Sequence, residues 1–81
     1  MKHSEILDKV IEILYNMTEY DEISEKNELI EDLDISSMDI LFIISSLEEE
    51  FGIQIPESEI RKMVTVGDVA SIIFELKKEV T

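Results

Sequence analysis

Residues 32–51, DLDISSMDILFIISSLEEEF, contain the start, the body and the end of one predicted helix. Ser36 followed three positions later by Asp39 is typical of a helix N-terminus, so the helix should begin near Ser36 or Ser37. It should run to about Phe51, because Gly52 is the residue type preferred just past a helix end. Its apolar residues recur at helical spacing and predict a buried stripe of Ile40, Ile43, Ile44, Leu47 and Phe51.

The sequence before residue 32 predicts another helix and a long connection. Residues 4–17 have a helical apolar face, for which Ser4 is the expected N-cap. That face consists of Ile6, Leu7, Val10, Ile13, Leu14 and Met17. From residue 18 to residue 35 this spacing is lost, which predicts a long loop. The loop should contact the core at intervals through Ile23, Leu29, Ile30, Leu33 and Ile35.

The sequence after Gly52 predicts a turn and two further helices. The segment IQIP at residues 53–56 should form an extended turn that buries its two isoleucines, because Pro56 would interrupt a sheet ladder. A short helix is expected over residues 58–63. The segment TVGD at residues 65–68 repeats the capping pattern and predicts a last helix over residues 66–78. We therefore expect one all-α domain over residues 1–81, a small four-helix bundle with three main helices, one short helix and a long first loop.

The charge of the chain restricts its partners. The 81 residues include 20 Asp and Glu against 7 Lys and Arg, which gives a net charge of -13. Such a field repels nucleic acid and anionic membrane surfaces, and it speeds encounters with proteins that carry basic patches. Hydrophobic residues still make up 44% of the chain, enough to predict a folded core. We expect basic protein partners, no nucleic acid and a monomer.

Residues typical of enzymes and of exported proteins are missing from the sequence. It contains no cysteine, and its one imidazole, His3, lies close to the N-terminus, where we expect it to be inert. A domain this small leaves little room for a deep cleft, so we expect no catalytic residue and no enzyme activity. Neither a signal core nor a run of about 18 or more apolar residues is present. This favours a cytoplasmic protein without a membrane span.

Acidic residues before the predicted helix partly match a calcium-binding loop. Asp32, Asp34 and Ser36 stand at the first, third and fifth places of an EF-hand pattern. The sixth place should be glycine and is Ser37, and the twelfth should be glutamate and is Ile43. Because the two decisive places do not match, we predict no metal site.

Three motifs together resemble the acyl carrier protein family. In that family a D-S-L motif opens the second helix, an L-E-E-E-F-like segment ends it, an I-P turn follows, and a T-V-x-D segment begins the last helix. This chain has SSM at residues 36–38, LEEEFGIQIP at 47–56 and TVGD at 65–68. The order and separations are similar over nearly the whole chain, which is more specific than any one motif alone.

The resemblance implies a covalent cofactor and a set of partners. Ser37 would receive 4'-phosphopantetheine from coenzyme A through a phosphopantetheinyl transferase. The thiol of this arm would hold acyl intermediates as thioesters for fatty-acid, polyketide or related specialised biosynthesis. Acyl-loading and acyl-processing enzymes with basic docking patches would be the other partners. The residues expected to contact partners are Ser36, Met38, Asp39, Phe42, Glu48 and Glu49.

The chain differs from the family at three of these positions. Ser36 replaces an aspartate associated with transferase recognition, Met38 replaces leucine, and Phe42 stands where fatty-acid carriers are acidic. Ser36 can still cap the helix, and the exchange to Met38 conserves apolar volume. Phe42 predicts either an altered partner surface or packing against the long loop.

Two other interpretations fit the same residues. Ser37 could be an ordinary exposed residue in the first turn of a non-covalent, acidic interaction module, in which helix faces and Phe42 bind a basic, hydrophobic partner. The chain could also be an aminoacyl or D-alanyl carrier, because such carriers resemble acyl carriers at this level.

Overall fold

The computed structural model describes the backbone of residues 2–80 and the side chains of residues 2–78. Helices are the regular elements of this part of the chain, in which a single isolated β-bridge, between Glu28 and Thr65, is the nearest approach to a strand. The all-α fold, with four helices and a long first loop, is confirmed. The helices are α1 (His3–Met17), α2 (Ser37–Phe51), α3 (Glu57–Ile60) and α4 (Val66–Val80).

Helix α1 begins earlier than the sequence pattern indicates. Its N-cap is Lys2, so the prediction of Ser4 as N-cap is wrong. The Glu5 carboxylate accepts a hydrogen bond from the Lys2 N–H at 3.1 Å, and this reciprocal bond stabilises a first turn that already includes Ser4. His3 Nε2 lies 3.1 Å from the Ser71 Oγ, which ties the start of α1 to α4.

Helix α1 packs against both α2 and α4. Its fully buried residues are Ile6, Val10 and Leu14, whereas Met17, predicted to be buried, is 42% exposed at the C-terminal end. Burying an aliphatic side chain contributes about 1.5–3 kcal/mol, so these contacts supply much of the stability. The rest of the core comes from the loop and the other helices, and its most deeply buried members are Leu47, Val66, Val69, Ala70 and Ile73.

The long loop, residues 18–36, is held against the start of α4. Main-chain bonds join Leu29 N to Val64 O and Val66 N to Asn27 O, both at 2.9 Å. Leu33 is buried beneath this segment, as are Leu29 and Ile35. Ile30, predicted to contact the core, is instead 54% exposed, because the turn after Glu28 directs its neighbours inward.

The connection between α2 and α4 follows the predicted course except in α3. Gly52 adopts the left-handed conformation at φ 64° and ends α2, and Ile53 and Ile55 are buried as expected. Helix α3 begins directly after Pro56, whose φ of -62° suits a helix start, and is shorter than the predicted residues 58–63. After Ile60 the hydrogen bonds join residues three apart, from Lys62 N–H to Glu59 O and from Met63 N–H to Ile60 O, and these tight turns bring Met63 to the core.

Helix α4 begins with a reciprocal capping box. The Thr65 Oγ1 accepts from the Asp68 N–H at 3.0 Å, and the Asp68 carboxylate accepts from the N–H groups of Thr65 at 3.0 Å and Val64 at 3.2 Å. The capping prediction is confirmed. Across the described residues, no helix has the length and apolar character needed to cross a membrane.

Candidate functional site at the start of helix α2

Ser36 caps helix α2 as predicted. Its backbone is extended, with φ -77° and ψ 163°, and its Oγ accepts from the Asp39 N–H at 3.2 Å. Its carbonyl oxygen accepts from the Ile40 N–H at 3.0 Å, the first main-chain bond of the helix. The serine thus performs locally what an aspartate would do as a cap, without a negative charge.

Ser37 is the first residue of α2 and its side chain is exposed. Within the described residues its hydroxyl makes no hydrogen bond, and neither its own N–H nor that of Met38 has an acceptor. Unpaired N–H groups and the positive end of the helix dipole favour a negative group at this position. The serine oxygen therefore stands where a phosphodiester would be electrostatically stabilised.

An exposed apolar stripe runs along α2 from this point, and we call it the α2 stripe: Met38, Leu41 and Phe42. Their exposed fractions are 68%, 59% and 63%. Glu49 lies seven residues, or two helical turns, after Phe42, so it is on the same face of α2. Leu41 was missing from the sequence prediction, although its spacing of three from Met38 would have placed it beside the stripe.

The predicted acidic residues of α2 have different surroundings. Asp39 is exposed, and its carboxylate has no partner in the described part of the chain. Glu49 is also exposed. Glu48 is half-buried, and its carboxylate accepts from the Ile55 N–H at 2.8 Å, which fixes the turn after α2. A sequence pattern alone gives no sign of this structural bond.

A groove of about 590 Å³ opens beside the α2 stripe, between the end of α1, the long loop and α2. The Tyr20 hydroxyl donates to the Asp34 carboxylate at 2.7 Å across the loop, and this bond raises the pKa of Tyr20. Asp34 has a left-handed backbone at φ 53°. Tyr20 belongs to none of the sequence motifs, and Asp34 belongs only to the partial calcium pattern. The lining residues are Met17, Thr18, Glu19, Tyr20, Leu33, Asp34, Ile35, Asp39, Phe42 and Ile43.

The residues of the partial calcium pattern serve the loop itself. The Asp32 carboxylate accepts from the Glu28 N–H at 2.8 Å, and Asp34 is engaged by Tyr20. Within residues 2–78, no group of three or more potential ligands is arranged to hold a metal ion.

Known proteins are similar to this chain in sequence over most of its length. The family profile described as "Phosphopantetheine attachment site" matches residues 4–73. The chain belongs to the acyl carrier protein family. It is 39% identical to the acyl carrier protein of Lactobacillus acidophilus over 75 residues, covering 90% of this chain and 94% of that protein. It is 40% identical to that of Thermosynechococcus vestitus, covering 90% and 93%.

A solved acyl carrier protein supports the same relationship in three dimensions. The acyl carrier protein from Enterococcus faecalis superimposes with a TM-score of 0.79 at 28% identity, covering 94% of this chain and 99% of that structure. The role of the family is that of a carrier, and its cofactor is covalently attached 4'-phosphopantetheine. The start of α2 fits such a group, because it presents an exposed hydroxyl beside two unpaired N–H groups.

Proposed function

We propose that this protein carries acyl intermediates as thioesters on a 4'-phosphopantetheine arm attached to Ser37. The main support is the free hydroxyl of Ser37 at a helix start whose first two N–H groups have no acceptor in the described residues. The cargo would serve fatty-acid, polyketide or related specialised biosynthesis. When bound, the arm supplies the thiol that forms the thioester.

Attachment requires only one nucleophile from this chain. The Ser37 Oγ loses its proton and bonds to the phosphorus of the pantetheine phosphate in coenzyme A. The phosphoanhydride bond breaks, and adenosine 3',5'-bisphosphate leaves. The unpaired N–H groups of Ser37 and Met38 stabilise the negative phosphodiester that results. In this proposal the phosphopantetheinyl transferase supplies the base that takes up the proton.

Helix α2 also provides the proposed surface for partners. The α2 stripe, Asp39 and Glu49 are exposed beside the attachment point, and the net charge of -13 attracts enzymes with basic docking patches. Ser36 lies at the edge of this surface next to Ser37. Glu48 would contribute less to docking, because its carboxylate already binds the Ile55 N–H.

The remaining assignments complete this proposal. The whole chain, residues 1–81, acts as one monomeric, cytoplasmic carrier domain. It binds no nucleic acid and performs no catalysis itself. Its reactive sulfur belongs to the arm, since the sequence contains no cysteine.

Intact-mass spectrometry tests the attachment. The folded protein is incubated with a broad-specificity phosphopantetheinyl transferase, coenzyme A and Mg²⁺. The parent should gain the mass of one phosphopantetheine unit, and Ser37→Ala should gain none. Ser45→Ala is the matched control, because Ser45 is another exposed serine of α2, and this variant should be modified like the parent.

A reference carrier in the same reaction verifies the transferase. If the reference is modified and the parent is not, the carrier proposal is contradicted and the non-covalent interaction module is favoured. In that case, partner binding should survive in Ser37→Ala. Loading of the arm with acyl or aminoacyl groups then separates the acyl carrier from the aminoacyl and D-alanyl alternatives.

A further inference from the structure

We propose that the groove beside the α2 stripe receives an apolar anchor side chain of a partner protein, with a neighbouring Lys or Arg of that partner paired to Asp34 and Asp39. This inference rests on the proposed carrier function and extends the docking surface from α2 to the loop and the end of α1. The sequence motifs assign no partner contact to Met17, Tyr20 or Asp34, which this proposal places in the binding surface.

Exposed apolar side chains concentrate around this groove. Eight large apolar residues are exposed among the described side chains, and three of them, Met17, Tyr20 and Phe42, line it. Met38 and Leu41 do not line the groove, but they belong with Phe42 to the α2 stripe. An apolar cluster of this kind on a small acidic domain is typical of an interaction surface rather than of random exposure.

The walls of the groove determine the charge of its occupant. Glu19, Asp34 and Asp39 line it, and none of the lining residues is basic. A neutral occupant would partly desolvate these carboxylates without compensation, whereas a cationic group beside an apolar anchor would pair with them. The apolar floor with an acidic rim therefore fits a basic, hydrophobic protein segment.

Other occupants fit these walls less well. A second copy of the chain would also carry a charge of -13, so the two copies would repel each other at this surface. An uncharged acyl tail would offer no positive charge to the three carboxylates. The volume of about 590 Å³ is within the range of preformed binding pockets and has room for a large side chain.

One wall of the groove is preformed by a side-chain bond. The Tyr20 hydroxyl donates to Asp34 at 2.7 Å, and the Ser46 hydroxyl lies 3.8 Å from the Met17 Sδ. These contacts connect the loop to itself and the end of α1 to α2. Preformed walls lower the entropy lost when a partner binds.

A synthetic peptide can represent the partner. We would use a short amphipathic helical peptide with Phe and Leu on one face and arginines beside them. Two matched peptides would replace either Phe with Ser or the arginines with Glu. Amide shifts of the ¹⁵N-labelled full chain should change at residues 17–20, 33–35 and 39–43. Affinity for each matched peptide should fall at least about fivefold.

Variants of the chain test whether the groove itself binds the peptide. Phe42→Ala should weaken binding about tenfold, as expected for an aromatic residue in an interface. Asp34→Asn and Asp39→Asn should each weaken it about threefold, and Asn tolerates the left-handed backbone of residue 34. Tyr15→Ala is the matched aromatic control, because Tyr15 is 54% exposed but does not line the groove, and its affinity should equal the parent's.

Several outcomes would overturn the groove proposal. The first is the absence of peptide binding, and the second is binding that Phe42→Ala does not change. The others are amide shifts at the same residues when the chain self-associates or when the arm is acylated. The last two would identify a second copy or the cargo as the occupant. Because Ser37 modification is read separately by mass, a modified chain that fails to bind the peptide would reject the groove and leave the carrier function intact.

Discussion

Helices α2 and α4 begin with the same local chemistry but have different surroundings. Each starts with a Ser or Thr cap whose oxygen accepts from an Asp N–H three positions later, at 3.2 Å in α2 and 3.0 Å in α4. In α4 the two preceding N–H groups, of Val66 and Gly67, donate to loop carbonyls at 2.9 and 2.8 Å. In α2 the equivalent groups, of Ser37 and Met38, have no acceptor within the described residues.

This difference separates a structural helix start from one that is open to a ligand. The start of α4 is covered by the loop, which approaches so closely that a Cβ at residue 67 would make a tight contact of 3.1 Å with the Glu25 carbonyl oxygen. The start of α2 faces solvent, and its first two N–H groups are left without an acceptor in the described residues. Two copies of one capping pattern can thus serve stability in one place and the proposed cofactor attachment in the other.

Replacing the acidic residue of each cap should give the largest contrast in stability. Asp68→Ala removes a carboxylate that accepts two N–H groups, so we expect a loss of about 2 kcal/mol in the free energy of unfolding. Asp39→Ala removes only a favourable dipole interaction, with an expected loss of about 0.5 kcal/mol. Urea unfolding followed by circular dichroism measures both values.

Equal losses in the free energy of unfolding would contradict the difference between the two helix starts. They would mean that the start of α2 is as constrained as the start of α4. The slopes of the unfolding curves serve as the control. They should match that of the parent, because neither substitution changes the surface exposed on unfolding.

A change of the α2 cap should alter modification more than stability. Ser36→Asp keeps an equally good cap, so the free energy of unfolding should change by less than about 0.5 kcal/mol. It also adds the charge that the family has at this position. We expect the rate of modification at Ser37 to rise about fivefold at low salt, the effect of one charge contact. Mass spectrometry of timed samples measures this rate.

The matched control adds the same charge elsewhere on α2. Ser45→Asp places it on the exposed face, away from the helix start. A comparable increase in this variant would attribute the effect to general electrostatic steering rather than to residue 36. Added salt should diminish steering of that kind.

Local patterns predicted the parts of the fold that local chemistry determines. The Ser36 cap, the Gly52 stop and the Thr65 cap needed only neighbouring residues, and all are confirmed. The Ser4 prediction was wrong because the bond from the Lys2 N–H to the Glu5 carboxylate starts the helix before Ser4. The end of α3 also depended on turns that the apolar spacing does not encode.

Long-range contacts determined the parts that sequence reasoning missed. Ile30 faces solvent and Met17 borders the groove, because main-chain bonds between the loop and α4 orient this part of the chain. The residues of the groove come from three separate segments, so no single motif contains them. Tyr20 and Asp34 are 14 positions apart and meet only in the folded chain.

The smallest predicted effect concerns how the chain approaches each helix start. Main-chain bonds hold the approach to α4, whereas the approach to α2 includes the exposed bond between Tyr20 and Asp34. This hydrogen bond is the main reason that the pKa of Tyr20 lies above its ordinary value of 10.0, followed by burial and the negative charge of Asp34. A raised pKa in the folded state means that protonated Tyr20 stabilises the fold.

That contribution is fully present below pH 10.0 and disappears as the pH rises through the higher pKa of the folded state. Tyr20→Phe should therefore melt at a slightly lower temperature than the parent at neutral pH, and the difference should close above pH 10.0. In a Tyr15→Phe background, the ultraviolet absorbance of tyrosinate reports Tyr20 alone. In Asp34→Asn the pKa of Tyr20 should return towards 10.0. An unchanged titration of Tyr20 in that variant would show that the hydrogen bond between Tyr20 and Asp34 does not hold this side of the loop in solution.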